Sequence, residues 1–233
     1  MQKDALDALD GVLLDGLDFC STTYKLFESI RALPDGITRL RLRKSRVEKK
    51  LIEELLPISA YVQSCYRPGR YLSVKWLAGN QQCDAEIVQH GEYVRQGYFP
   101  DTGFIEATSV VHEKEHDMRK LLETKGFAFG HEGIRRLKNG ELESTPVSYS
   151  IDELVATFSG RVLAQIQAKS RNPFSANTIL VVQCFLTTLY MPNEWRSLVS
   201  RVSAGLPRHP FSEIFLCDSV SQYSHTFHRL RDD

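Results

Sequence analysis

The chain has 233 residues, of which 42% are hydrophobic and 25% charged, and its formal net charge is zero. This composition is typical of a soluble globular domain; it excludes a disordered tail and argues against a general nucleic-acid coat protein. No apolar run approaches the roughly 18 residues that cross a bilayer, and acidic residues interrupt the N-terminal stretch, unlike in a secretory signal. The five cysteines include no Cys-x-x-Cys pair, so we expect free thiols in a cytoplasmic protein without a membrane partner.

Residues 4–33 are expected to form one or two helices that end at the turn containing Pro34 and Gly36. We assign residues 1–36 to an N-terminal helical cap and residues 37–233 to an α/β core domain, which together make a single globular unit. The stretch that follows the cap, residues 39–50, holds seven basic side chains and one acidic one. It is either a surface that contacts phosphates or a solvated helix start. The candidate nucleic-acid-binding residues are Arg39, Arg41, Arg43, Lys44, Arg46 and Lys50.

Apolar residues then recur at helical spacing from Val47 to Cys65, which predicts a long helix bent at Pro57. Glu48 and Glu54 flank its apolar stripe on either side, so either carboxylate can face a neighbouring cleft.

The pattern changes to period two after residue 70. Residues 71–77 and 83–89 predict a β-hairpin, and the β-branched stretch 103–112 predicts a third strand. A helix is expected over residues 113–125. The glycine-containing stretch 126–150 is either a mobile loop or a small extra hairpin.

Ser150 and Glu153 have capping-box spacing and begin a predicted helix that continues to residue 171. Residues 177–186 form a continuous apolar run, as expected of a parallel strand buried on both faces. A further helix begins near Asn193, residues 212–219 form the last predicted strand, and the polar C-terminus is expected to fray. This order predicts an α/β fold in which helices flank a mixed central sheet.

The stretch "HEKEH", residues 112–116, matches the His-Glu-x-x-His pattern of zinc peptidases, in which two histidines four apart on a helix bind zinc. Lys114 and Glu115 place charges where that helix is normally uncharged. The preceding strand also runs into His112, so His112 is expected near the end of that strand and not inside a helix. A zinc peptidase is therefore the third of our hypotheses.

The strands offer a different site. Asp84 lies on the second strand of the hairpin, and Glu106 and Thr108 share one face of the third strand. If adjacent strands bring Asp84 and Glu106 together, these carboxylates and the carbonyl group of Ala107 can hold a divalent ion. Oxygen ligands suit Mg²⁺ or Mn²⁺, and such an ion can activate water and neutralise charge on a phosphate.

Residues 44–186, with "CDAEI" on the hairpin and "IEATS" on the third strand, resemble the PD-(D/E)XK nuclease superfamily. The resemblance implies a restriction-endonuclease-like αβββαβ core. It also implies that Asp84 and Glu106 ligate Mg²⁺ or Mn²⁺ and that Glu48 or Glu54 from the first helix extends the acid cluster.

The sequence departs from the family at Thr108, which stands where the family has a lysine. The displaced lysine is expected to be Lys114, Lys75 or Lys50, with His112 as another replacement that handles water or phosphate. Either the catalytic base has moved or catalysis has been lost.

The leading hypothesis is therefore a divalent-metal-dependent nuclease that hydrolyses nucleic-acid phosphodiesters. Asp84, Glu106, Lys114 and His112 are its candidate catalytic residues. The main alternative is a catalytically inactive binding or assembly module with the same fold. Its partner would be another protein or a second copy of this chain.

Overall fold

The computed structural model describes residues 6–79, 81–185, 191–219 and 223–228. Its helices and strands follow the order expected of an α/β protein. The α-helices are α1 (Gly16–Arg31), α2 (Gly36–Leu42), α3 (Arg46–Lys50), α4 (Leu56–Cys65), α5 (Glu92–Arg95), α6 (Glu115–Thr124), α7 (Ile151–Ser170) and α8 (Pro192–Gly205). The strands are β1 (Leu13–Asp15), β2 (Tyr71–Trp76), β3 (Ala85–His90), β4 (Thr102–Val110), β5 (Ile134–Arg136), β6 (Leu142–Ser144), β7 (Thr178–Cys184), β8 (Glu213–Asp218) and β9 (Ser224–His228).

Seven strands form one mixed sheet in the order β1-β2-β3-β4-β7-β8-β9. The pairs β4/β7 and β7/β8 are parallel, and the other neighbours are antiparallel. Parallel neighbours need a crossover connection, and α7 and α8 lie in the two crossovers. The expected mixed sheet flanked by helices is confirmed.

Two apolar cores lie on opposite faces of this sheet. Helices α1 and α4 and the segment between α3 and α4 pack on one face, against residues such as Val74 and Ile105. Helices α7 and α8 pack on the other face, against residues such as Val110 and Leu216. Strand β7 supplies alternate residues to both cores and is buried along its whole length, as expected for its continuous apolar run.

The long helix that contains Pro57 has a wider turn than its periodicity predicts. Residues Leu51–Leu55 form a π-helical turn between α3 and α4, closed by a bond from the Leu56 amide to the Leu51 carbonyl. Pro57 has no N–H to donate four residues back, and its ring crowds the carbonyl of Glu53. The widened turn accommodates both effects.

The two ends of the sheet differ from the expectations for the termini. Leu13–Asp15, expected to be helical, is an edge strand paired with β2. The C-terminal stretch, expected to fray, contains β9, which pairs with β8 over Ser224–His228; this expectation was wrong for those residues. Residues 126–150 contain the small hairpin β5–β6, one of the two forms expected there.

The described helices include none that is both long and apolar enough to cross a membrane.

Candidate active-site cleft

A cleft opens beyond the first residue of β3, where β4 continues without it. Ala85, the first residue of β3, lies opposite Ile105, and the Asp84 amide donates to the Ile105 carbonyl at 2.8 Å. Strand β4 runs on to Val110, and no strand among the described residues pairs with it on that side beyond Ile105. The resulting space, here called the carboxylate cleft, has a volume of about 310 Å³.

Four carboxylates from three different parts of the chain line this cleft. They are Asp84 beside β3, Glu106 on β4, and Glu53 and Glu54 on the π-helical turn. Asp84 is fixed through its Oδ2 atom, which accepts from the Ala107 amide at 2.8 Å. The expected approach of Asp84 to Glu106 is therefore present in the structure.

The main chain of Ala107 adds a further oxygen donor. In a strand, the N–H and C=O of one residue point to the same side, as in the paired exchange of an antiparallel ladder. The Ala107 amide points to Asp84, so its carbonyl also points towards the side that β3 has left open.

The π-helical turn brings Glu54 to the cleft and leaves Glu48 outside it. Glu54 accepts from the indole Nε1 of Trp76 at 3.2 Å and from Lys50. Glu48 is buried in the capping box that begins α3, where it bonds Ser45 and pairs with Arg39. Of the two candidate helix acids, only Glu54 lines the cleft.

A lysine that sequence reasoning missed also lies in the cleft. The Lys169 ammonium, in the last turn of α7, contacts the carboxylate of Glu106. Gln165, one turn earlier, donates to the Thr108 hydroxyl at 2.6 Å. Lys169 follows the apolar Ile166 by three residues, so its position on the sheet-facing side of the helix was readable from the periodicity.

Burial makes Asp84, Glu54 and Glu106 harder to ionise, and the charge of Asp84 adds to the effect on the two glutamates. Burial raises the pKa of Asp84, and the Ala107 amide, Lys50 and Lys169 only partly offset it. Burial also raises the pKa of Glu54 and of Glu106, and the charge of Asp84 adds to the rise in both. A bound cation would relieve this repulsion.

Whether a divalent ion fits the cleft depends on the oxygen atoms that the cleft offers as ligands. Among the described residues, no group of three or more His, Cys, Asp or Glu side chains is arranged to hold a metal. What the cleft offers is the pair Asp84 and Glu106 with the Ala107 carbonyl, and Glu54 at its side. Mg²⁺ keeps several water ligands and is commonly bound through one or two carboxylates together with substrate phosphates. The oxygen donors fit such an ion.

The other candidate catalytic residues lie outside the lining of the cleft. His112 follows β4, bonds Glu132 at 3.0 Å and stacks on His131. Lys114 is the N-cap of α6, with its ammonium near the Glu132 carbonyl, and Lys75 pairs with Glu86. The structure therefore does not bring these side chains to Asp84 and Glu106.

The "HEKEH" stretch does not form one helix. His112 precedes α6, which begins at Glu115, so His112 and His116 are not four residues apart on one helical face. Glu115, inside the motif, bonds His131 at 2.7 Å. This spatial arrangement lacks the paired histidines of a zinc peptidase.

Most of the candidate nucleic-acid-binding side chains have protein partners. Their partners are Glu48 for Arg39, Glu53 for Arg43, Glu123 for Lys44, the Ala78 carbonyl for Arg46 and Glu54 for Lys50. Arg41 is exposed. These contacts favour a structural role for much of the segment, and two of them, Arg43 with Glu53 and Lys50 with Glu54, involve acids that line the cleft.

The chain was compared with protein-family models, with curated proteins and with solved structures, and none of them matches it.

Proposed function

We propose that the protein is a divalent-metal-dependent phosphodiesterase that hydrolyses nucleic acid. The observation that carries the proposal is the meeting of Asp84, Glu106, the Ala107 carbonyl and Lys169 in one cleft. The oxygens supply the donors that Mg²⁺ or Mn²⁺ prefers, and the ammonium supplies a positive charge for a phosphate.

The order of the elements supports a PD-(D/E)XK-type core. The helical segment over residues 46–65 is followed by the antiparallel strands β2, β3 and β4, then by α7 and the parallel strand β7. With α5, α6 and the β5–β6 hairpin inserted into it, this is the αβββαβ order that the sequence resemblance implies. Lys169 then compensates for Thr108, because it reaches Glu106 from the helix instead of from the strand.

Each residue has a defined task in this proposal. Asp84 and Glu106 hold the ion, and the amide of Ala107 keeps Asp84 in place. When bound, a divalent ion activates water and neutralises the charge that develops on the phosphate. Lys169 orients water or stabilises the phosphate, while Trp76 and Lys50 hold Glu54 at the edge of the site.

A cleavage assay tests the proposal. Labelled single-stranded and double-stranded DNA and RNA are incubated with the protein and Mg²⁺ or Mn²⁺. We expect metal-dependent cleavage of at least one substrate and a fall of at least about 100-fold in Glu106→Gln and Asp84→Asn, since charge stabilisation in such sites is worth several kcal/mol. Glu141→Gln, an exposed acid on the β5–β6 hairpin, is the matched control.

The second candidate is a binding or assembly module without catalysis. Three of the four acids in the cleft already pair with basic side chains, Glu53 with Arg43, Glu54 with Lys50 and Glu106 with Lys169, as in a structural ion-pair cluster. This alternative predicts that no substrate is cleaved with either metal and that Glu106→Gln affects only stability.

A further inference from the structure

A second cavity lies directly beside the carboxylate cleft. It has a volume of about 610 Å³ and lies where α1 and α4 face the carboxyl ends of β7 and β8. This volume falls in the range of small-molecule sites, and open α/β sheets often bind ligands at the carboxyl ends of parallel strands. We call it the aromatic cavity.

Aromatic rings from separate elements line this cavity. Tyr24 and Phe27 come from α1, Phe185 follows β7, and Tyr223 precedes β9. Rings of this kind stack against nucleobases with little sequence preference, because every base has an aromatic face.

A buried polar side chain gives the cavity a hydrogen-bonding side. Gln183 is only 3% exposed, and its Oε1 accepts from the Ser109 hydroxyl at 3.1 Å. No described residue accepts a hydrogen bond from its amide nitrogen. An amide donor in this lining suits the acceptor atoms at the edge of a base.

The cavity and the cleft share a wall. On the segment from residue 52 to 56, Ile52 and Leu56 line the cavity, while Glu53 and Glu54 line the cleft. Ser109 lines the cleft and contacts Gln183, which lines the cavity.

Arg43 also connects the two spaces. It pairs with Glu53 and places its guanidinium 5.1 Å from the centre of the Phe185 ring. Arg43 has a φ of 53°, a left-handed conformation that costs a non-glycine residue free energy. Its side-chain contacts on both sides of the wall offset that cost.

The charges around the cavity and the cleft indicate whether a bound base would belong to a free nucleotide or to a nucleic-acid strand. Among the described residues that line the aromatic cavity, none is Lys, Arg or His, and Arg43, which contacts the Phe185 ring, is held in an ion pair with Glu53. The lining itself therefore offers the phosphate of a free nucleotide no cationic partner. Lys169 lines the cleft, and Lys50 pairs with a cleft acid. We propose that the aromatic cavity receives one unstacked nucleobase of the strand whose phosphate lies in the carboxylate cleft. This inference rests on the proposed function and specifies its substrate as a strand with an unstacked base.

An abasic scan tests this inference without cleavage. Binding of labelled single strands of about 12 nucleotides, each with one abasic position, is measured by fluorescence anisotropy with Ca²⁺ supplied in place of Mg²⁺ or Mn²⁺. We expect one position, or two adjacent ones, at which removing the base weakens binding about tenfold, the value expected from a lost stacking contact. In Tyr24→Ala and Gln183→Met, the intact strand should bind as weakly as the sensitive abasic strand, and the position dependence should disappear. Tyr98→Ala, an exposed aromatic on another part of the surface, should leave the profile unchanged.

A flat profile in the parent protein, or a profile that survives both cavity substitutions, would overturn the inference. So would no strand binding, or displacement of the strand by free AMP, GMP, CMP or UMP at a lower concentration than the strand itself requires. Cleavage with a flat profile removes the cavity proposal and leaves the phosphodiesterase. An abasic-sensitive profile without cleavage removes the phosphodiesterase and leaves the base-binding cavity.

Discussion

Lys169 and Gln165 lie one helical turn apart and contact alternate residues of β4, Glu106 and Thr108. Strand alternation alone was enough to predict that Glu106 and Thr108 share a face. The lysine was not predicted, because its position depends on how α7 packs across the sheet. Local periodicity gives the face of a helix but not the strand residue opposite each turn.

Replacing Lys169 tests the displaced-lysine assignment. Lys169→Met keeps most of the side-chain volume and removes the charge, so we expect cleavage to fall about 100-fold or more because a preorganised charge is lost from the phosphate site. Metal binding should persist, since Asp84 and Glu106 remain. Initial cleavage rates and Mn²⁺ calorimetry check both statements. Lys49→Met, at an exposed position of α3, is the control; equal losses in both variants would remove Lys169 from the site.

Trp76 positions Glu54 through its indole N–H, although it is fully buried on β2. Trp76→Phe keeps an aromatic ring and removes this donor. We expect a loss of about 1–3 kcal/mol in the free energy of unfolding and a fall of up to about tenfold in Mn²⁺ affinity, as for other outer-shell partners. Trp195→Phe, in the core on the other face, should reduce stability alone. A similar change in Mn²⁺ affinity in both variants would contradict a positioning role for Trp76.

At the scale of elements, the long helix, the hairpin, the third strand and the central parallel strand were predictable because each has a clear period. The π-helical turn was not, because Leu51 and Leu55 fit helical spacing with or without it. Strands β1 and β9 were missed for other reasons. Strand β1 has only three residues, Leu13–Asp15, and β9 has a single buried apolar residue, Phe227. Each of these strands therefore depends on pairing with its neighbour.

The β5–β6 excursion is attached to α6 through a hydrogen bond between His131 and Glu115, 2.7 Å long, that should respond to acid. Burial alone would raise the pKa of Glu115, but bonds from His131 and Arg119 outweigh it and lower the pKa to about 2 from 4.5. A carboxylate with a depressed folded-state pKa stabilises the fold above its unfolded pKa and loses that contribution as the pH falls. The stabilisation should therefore disappear between pH 4.5 and about 2.

Urea unfolding of the parent and of Glu115→Gln at several pH values measures this contribution. The stability difference between them should be largest above pH 5 and shrink steadily below pH 4.5. Glu143→Gln, at an exposed position of β6, should show no comparable difference. A gap of constant size down to pH 3 would show that the Glu115 carboxylate is not held ionised.

For the whole molecule, the sheet joins the predicted cap and core into one unit. Strand β1 pairs with β2, and α1 packs against α4, so residues 13–31 belong to the same layers as the site. At the opposite edge, β9 covers β8, which is buried at every residue. Covered edges keep a buried apolar strand from pairing with another chain.

Phe227 tests the contribution of the β9 edge. It is 6% exposed and packs in the core formed with α7 and α8. Phe227→Ala should cost about 3–5 kcal/mol in the free energy of unfolding, the usual range for a buried phenylalanine. Ser224→Ala, an exposed position on the same strand, should change it by less than about 0.5 kcal/mol. Equal urea midpoints for the two variants would mean that β9 is not part of the cooperative fold.

We propose that the carboxylate cleft holds a divalent ion through Asp84 and Glu106. Titration calorimetry with Mn²⁺ tests it most directly, on the parent protein, Glu106→Gln and Lys169→Met. The account predicts one binding event in the parent, its loss in Glu106→Gln and its persistence in Lys169→Met. Absence of binding in the parent, or unchanged affinity in Glu106→Gln, would contradict it.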